Sequence, residues 1–361
     1  MVVKIGSRVL VDKRGNIDDH RLTDLVRQMA DLRRAGKDVI CVSSGAVAAG
    51  LSDLGLDSRP SDLPSLQAAA ATGQARLIER YRRLFQEYNQ PVAQVLLTHT
   101  DLSDRERHLN ARNTFSRLLD SGVVPIVNEN DTVVVDELRF GDNDILSALV
   151  ACLVRADVLI LLTNTDGLLK INSNGQPHEL IEKVEQITEK TLALAGKSDC
   201  DLSTGGMKSK LHAAAIVTQA GEWAVIANGK TDDVLIRIFA GDSLGTTFEP
   251  KPEKLTGRKR WIAFFDHPRG DICIDKGAVD AISSKQRSLL AVGMKDVNGK
   301  FDRGAVVRIL DESGAEIARG LVNYPSEELR LVVGCRTDEI AEVLGSCEYE
   351  EVVHRDNLVV R

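Results

Sequence analysis

Aromatic residues make up only 4% of the 361-residue chain, and no apolar segment approaches the ~20 residues that cross a bilayer. The first shortage removes the stacking platforms that hold single-stranded nucleic acid. The second removes a membrane-spanning helix. No sign of charge dominates, with 46 basic side chains against 53 acidic. Residues 261–361 hold 13 basic and 18 acidic side chains, poor electrostatics for a polyanion, so RNA is not expected as a partner. Six cysteines (Cys41, Cys152, Cys200, Cys273, Cys335 and Cys347) form no Cys-x-x-Cys pair and no Cys/His metal spacing. Cys41 and Cys152 sit inside apolar runs, so free buried thiols in a reducing compartment are expected. Lys4 and Arg8 interrupt the one apolar run near the start, so no secretory leader is expected and the location is read as cytoplasmic. A Walker A loop, internal repeats and low-complexity tracts are also missing. His99, His108 and His212 lack a nucleophile or metal partner at a recognisable spacing and receive no role.

What is present is a recurring pattern. Five short apolar runs each end in a small or polar cluster: Val2 to Ile5 before Gly6-Ser7, Val39 to Val42 before Ser43-Ser44-Gly45, Val123 to Val127 before Asn128-Glu129-Asn130-Asp131, Val158 to Leu162 before Thr163-Asn164, and Val225 to Ala227 before Asn228-Gly229. Runs this short and this rich in Val, Ile and Leu, lying between helical stretches, read as buried parallel strands. Parallel strands share one direction, which places all five clusters on one rim of an α/β sheet, where such folds bind ligands.

Helical patterns are expected near 18–36, 62–89, 105–121, 142–154 and 206–220, the last with Met207, Leu211, Ala214, Ala215 and Ile216 near one face. The stretch Glu249-Pro250-Lys251-Pro252-Glu253-Lys254 then breaks the alternation as a linker would. Beyond it come short strands, turn signals such as Val297-Asn298-Gly299-Lys300 and Glu312-Ser313-Gly314, and two helical segments near 276–285 and 336–344. The expected domains are residues 1–249, a linker over 250–260, and a small β-rich domain over 261–361. Arg258-Lys259-Arg260 reads as a solvated linker end.

Four clusters carry chemistry. Lys4 lies inside a buried strand, where an ammonium is costly unless an anion meets it, and Gly6 lets a ligand approach closely. Ser43 to Gly50 runs from strand into small helix formers, offering hydroxyls and backbone N–H groups to an anion, or else an ordinary cap with tight helix packing. Asn128 to Asp131 and Gly141-Asp142-Asn143-Asp144 form two clusters of Asp and Asn, too many for one helix cap, and suited to an amino group, Mg²⁺ or cationic side chains. Ser203-Thr204-Gly205-Gly206-Met207-Lys208-Ser209-Lys210 enters a helix directly and reads as a phosphate cradle.

Taken together, VVKIGS, SSGAVAAG, the stretch from Glu106 to Thr114, VPIVNENDTV, FGDNDILSALVA, LLT and TGGMKSK occur in the order found in glutamate 5-kinases (γ-glutamyl kinases), which the chain resembles over nearly its whole length. These enzymes belong to the amino-acid kinase superfamily. The C-terminal part, with His354-Arg355-Asp356, resembles a PUA domain. The resemblance implies an αβα sandwich around a mainly parallel sheet and transfer of phosphate from ATP, with Mg²⁺, to the side-chain carboxylate of L-glutamate, the first step of proline synthesis. It implies glutamate contacts from Ser44, Asp131 and Asn143. The implied ATP contacts are Lys4, Thr163, Asn164, Thr204, Gly205, Gly206, Met207, Lys208, Ser209 and Lys210. Lys4 and Lys210 would be the catalytic cations, with Asp144 as their organiser. Feedback inhibition by proline, a homo-oligomer and handover to a glutamyl-phosphate reductase are further implications. Asn164 stands where the family usually has Asp, Leu169 where Tyr is common, Arg8 where a small residue is found, and Ser203 where glycine is frequent.

Overall fold

Valine, isoleucine and leucine runs with both faces covered build the strands of the first of two compact units, Met1–Lys254; the second is Leu255–Arg361. The computed structural model describes residues 1–12, 17–56, 58–133, 143–171, 177–195 and 206–360. In chain order the first unit comprises β1 (Val2–Ile5), α1 (Ser7–Leu10), α2 (Asp19–Arg34), β2 (Ile40–Ser43), α3 (Ala46–Leu51), α4 (Leu63–Gln86), β3 (Val92–Leu97), α5 (His99–Ser103), α6 (Arg105–Asp120), β4 (Val124–Glu129), α7 (Asn143–Val154) and β5 (Val158–Thr163). It continues with β6 (Leu169–Ile171), β7 (Pro177–Leu180), β8 (Lys183–Val184), α8 (Glu189–Ala193), α9 (Met207–Ala220), β9 (Trp223–Asn228), α10 (Val234–Ala240) and β10 (Thr246–Phe248).

The eight-stranded sheet has the order β3-β4-β2-β1-β5-β9-β10-β8. Its first six strands run parallel, and β10 turns back antiparallel to β9. Strand alternation divides the side chains between two layers. Val3, Ile5, Cys41, Ile160, Leu162 and Val225 pack under α2, α4 and α10 through Leu22, Leu25, Met29, Leu77, Tyr81 and Val234. Lys4, in register with Val42 and Leu161, lies on the opposite face, where α7 and α9 pack. Helices on both faces of a mainly parallel sheet make the αβα sandwich.

All five expected strands are present, and their ends share one rim. β3 was not foreseen: it is an edge strand with mostly half-buried side chains, so its apolar signal is diluted. In α9 the buried stripe is Lys210, Leu211, Ala214, Val217 and Thr218; Met207, Ala215 and Ile216 are only partly buried. The helix is therefore rotated from the expected face, and a lysine occupies the inward position.

The second unit contains α11 (Gly257–Arg260), continued by a wider helical turn over Trp261–Phe265, then β11 (Gly270–Ile274), α12 (Lys276–Ser283), β12 (Met294–Gly299), β13 (Val306–Leu310), β14 (Glu316–Leu321), α13 (Ser326–Leu331), α14 (Thr337–Leu344) and β15 (Leu358–Val360). Its five-stranded sheet has the order β12-β11-β13-β14-β15. Ile272, Ile274, Val297, Val307 and Ile309 form its core with Ile282, Leu329 and Ile340 from the helices. The Glu312-Ser313-Gly314 signal turns the β13–β14 hairpin, with Asp311 accepting from the Ser313 and Ala315 amides. Asn298-Gly299 only ends β12, because β11 lies between β12 and β13. One expectation is corrected here: Arg260 is not a solvated linker end but is buried, its Nε donating to the Leu255 carbonyl at 2.9 Å within a helical turn.

Candidate active site

The register puts the end of β1 between the ends of β2 and β5. Lys4 therefore reaches the rim from the centre of the sheet, on the face that α7 covers. α7 begins at Asn143, and its second residue, Asp144, is fully buried. The Asp144 carboxylate meets two cations: Lys4 Nζ lies 2.5 Å from Oδ1, and Lys210 Nζ lies 3.0 Å from Oδ2. Lys210 also donates a hydrogen bond there, and both lysines are less than 5% exposed. Two lysines sharing one carboxylate make a group of net charge +1 in a water-poor setting, which favours an anion close by. The anion that the buried Lys4 demands is thus supplied first by Asp144, which ties three distant chain segments together.

Asn143, one residue earlier, joins β2 to β4. Its Nδ2 donates to the Ser43 carbonyl at 2.8 Å, to Ser44 Oγ at 3.3 Å and to Asn128 Oδ1 at 2.8 Å. Asn128 Oδ1 also accepts the Glu129 amide. Ser44, Asn128 and Asn143 are thereby held within one hydrogen-bonded set, with Asp131 in the turn that follows β4. Ser43 was grouped with Ser44 by sequence, but its side chain points to the other face and bonds Tyr81.

The opening of α3 is fixed by close backbone packing. A Cβ on Gly73 of α4 would lie 1.8 Å from the Ala46 carbonyl oxygen, and one on Gly50 would lie 2.0 Å from that of Ala69. The packing reading of Ser43 to Gly50 therefore holds. Gly45, at φ +100°, has the left-handed conformation that turns the chain from β2 into α3.

On the other side of β1, Thr163 is buried at the end of β5 and Asn164 is exposed beyond it. Asp166 Oδ1 accepts from Asn228 Nδ2 at 2.8 Å and ties this turn to the end of β9. Sequence reasoning passed over Asp166, whose one signal is its place three residues past the end of β5 and next to Gly167. α9 starts at Met207 with Gly206 as its cap; Lys208 is exposed, Ser209 partly buried and Lys210 buried. Of the expected cradle, Thr204 and Gly205 lie outside the described residues, as do Gly141, Asp142 and Ser203. Among the described residues no three His, Cys, Asp or Glu side chains are grouped to hold a metal ion, and no helix is long and apolar enough to cross a membrane.

The rim thus offers buried positive charge between a polar amide–hydroxyl set and a pair of turns, chemistry suited to an anionic ligand beside a polar one. A family profile described as the amino acid kinase family matches residues 1–228, and one described as the PUA domain matches residues 270–344. A glutamate 5-kinase of Caldanaerobacter subterraneus subsp. tengcongensis is 46% identical over 361 residues, covering 100% of this chain and 97% of that protein. A glutamate 5-kinase of Synechococcus sp. is 49% identical over 362 residues, covering 100% and 98%. Among solved structures, the carbamate kinase of Giardia lamblia bound to AMP-PNP is similar in fold, with a TM-score of 0.50 and 19% identity over 69% of this chain and 98% of that one. The chain belongs to the amino acid kinase family and, within it, to the glutamate 5-kinases, with a PUA domain following the kinase fold.

Proposed function

We propose that the protein transfers the γ-phosphoryl group of ATP to the side-chain carboxylate of L-glutamate, giving γ-glutamyl phosphate and ADP, the first step of proline synthesis. The observation that carries this reading is the buried Lys4–Asp144–Lys210 group at the rim. A carboxylate oxygen attacks the γ-phosphorus, and the bond to the β–γ bridging oxygen breaks, leaving its electron pair on ADP. The attacking group has an ordinary pKa of ~4.3 and is ionised at neutral pH, so no base is needed. The obstacle is an anion approaching a polyanion, and the chain's contribution is positioning and charge neutralisation. Lys4 and Lys210 offset charge on the transferring group, and Asp144 holds both ammonium groups in place.

Glutamate needs acceptors for its ammonium and donors for its α-carboxylate. Asn143 commits Nδ2 to protein acceptors, which leaves Oδ1 for the substrate ammonium, together with Asp131. Ser44 Oγ accepts from Asn143 and keeps its own proton for the α-carboxylate. Thr163, Asn164 and the loop from Thr204 to Lys210 serve the nucleotide. Mg²⁺ would enter with the nucleotide and would supply further neutralisation of the phosphate charge. Residues 1–249 form the catalytic domain in this reading, and a homo-oligomer, cytoplasmic location, inhibition by proline and delivery to a glutamyl-phosphate reductase go with it.

The test is ATP turnover with Mg²⁺ and L-glutamate, trapping the acyl phosphate as hydroxamate and repeating with proline. Glutamate-dependent hydroxamate is expected. Turnover with aspartate, acetylglutamate or UMP in place of glutamate would keep the fold and overturn the substrate.

A further inference from the structure

The rim holds one feature that the reaction does not account for: a chain of hydroxyl groups that starts in the core. Cys41 and Ser43 share the face of β2 that packs against α4, and both meet Tyr81. Cys41 Sγ lies 3.7 Å from the phenol oxygen, Ser43 Oγ lies 2.8 Å from it, and Ser43 Oγ donates to the Ser44 carbonyl at 3.1 Å. Tyr81 and Ser43 are fully buried.

Proton counting gives the chain a direction. A carbonyl only accepts, so the Ser43 hydroxyl gives its single proton to Ser44. Ser43 Oγ then receives the phenol proton, and the phenol oxygen receives the thiol proton. The Tyr81 and Ser43 hydroxyls each both donate and accept, an arrangement in which successive hydrogen bonds strengthen one another. Burial raises the Cys41 thiol to about 12 and the Tyr81 phenol well above its usual value, so both keep their protons at working pH.

The consequence falls on one peptide group. No peptide bond among the described residues is cis, so the N–H of Gly45 points opposite to the carbonyl of Ser44. Holding that carbonyl inward turns the Gly45 amide outward to the rim. The same peptide follows the Ser44 side chain, whose Oγ is held from the other face by Asn143. We infer that Tyr81 is a positioning residue for the substrate: through Ser43 it sets the plane of the Ser44–Gly45 peptide, and so the donors offered to the α-carboxylate. This rests on the function proposed above, but the conformational half does not.

Tyr81→Phe is the test, because ring packing survives it; Tyr81 stacks on Phe85 with centroids 6.4 Å apart. Amide exchange in the ligand-free full chain should quicken about five- to tenfold at residues 44–47. The KM for glutamate should rise about three- to tenfold, while kcat and the KM for ATP stay within about twofold. Ser43→Ala should give the same split, and the double variant should be no worse than Ser43→Ala alone. A general loss of packing would lower the melting temperature without that split. Should Tyr81→Phe fail to fold, Ser43→Ala carries both measurements. Unchanged exchange overturns the inference whatever the kinetics, and faster exchange with unaltered glutamate KM overturns its link to substrate. A wild-type enzyme inactive on glutamate would reject the proposed function, and the exchange result would still decide the positioning.

Discussion

Replacing Asp144 by asparagine removes one charge and almost no volume. The side chain is fully buried, with Lys4 Nζ 2.5 Å away and Lys210 Nζ 3.0 Å away. Two ammonium groups that share a carboxylate at such distances stand within roughly 7 Å of each other. Without the carboxylate they repel by about 2 kcal/mol at an effective dielectric of about 20. Breaking a buried pair by removing one partner costs about 3–5 kcal/mol, and the loss here should fall in that range. For a unit of this size each kcal/mol lowers the melting temperature by about 2–4 °C, so a drop of about 6–20 °C is expected in a thermal scan. Loss of alignment should also reduce kcat about 10²–10³-fold in the hydroxamate assay. The Lys4→Met/Asp144→Asn double variant should regain stability relative to Asp144→Asn but none of the activity, since one of the two repelling charges is gone. A melting temperature within about 2 °C of wild type, with kcat within tenfold, would refute the account of the triad. So would a double variant less stable than Asp144→Asn.

Other perturbations separate the roles of the rim. Lys210→Ala should lower kcat about 10²–10³-fold with a smaller effect on the KM for glutamate, because its charge matters most in the transition state; a change confined to KM would reject that role. Asp131→Ala should raise the KM for glutamate at least about tenfold, and an unchanged value would remove Asp131 from the substrate site. Gly73→Ala forces a methyl group against the Ala46 carbonyl, 1.8 Å from the added carbon. It should cost about 3 kcal/mol, checked by denaturant unfolding, with wild-type stability counting against the close packing of α3 and α4. Burial holds the His108 imidazole below its ordinary 6.5, with Arg112 and Arg105 adding to the effect against the Leu102 carbonyl. As the pH falls below about 6.5 the unfolded chain binds a proton that the native state refuses. The stability tied to His108 is therefore complete above that pH and declines as the pH falls toward the lowered native value. His108→Gln should flatten this part of the stability–pH curve; an unaltered slope would show that other groups govern it.

Much of the sheet that forms the rim was legible before any tertiary contact was known. β1, β2, β4, β5 and β9 announce themselves because a strand covered on both faces must be apolar along its length, and polar residues then mark where it emerges. β3 escaped because an edge strand with half-exposed positions, such as Val92 and Gln94, carries a weaker signal. The inward turn of Lys210 escaped because helical periodicity ranks residues by hydropathy and counts a lysine as outward, whereas here Asp144 draws it in. Tyr81 escaped for the opposite reason: on α4 it reads as one more core aromatic, and its hydroxyl gains meaning only opposite Ser43.

The linear chain by itself determined the class of fold, the strand directions and the rim to which the polar clusters belong, since strand and helix periods are local properties written in successive residues. Only the tertiary structure decided which partner each buried polar group meets: Asp144 between Lys4 and Lys210, Asn143 between Ser43 and Asn128, and Tyr81 behind Ser43. Such partners come from segments far apart in sequence, and their distances follow from how β1, β2, β4, α4, α7 and α9 stack, which no local pattern encodes.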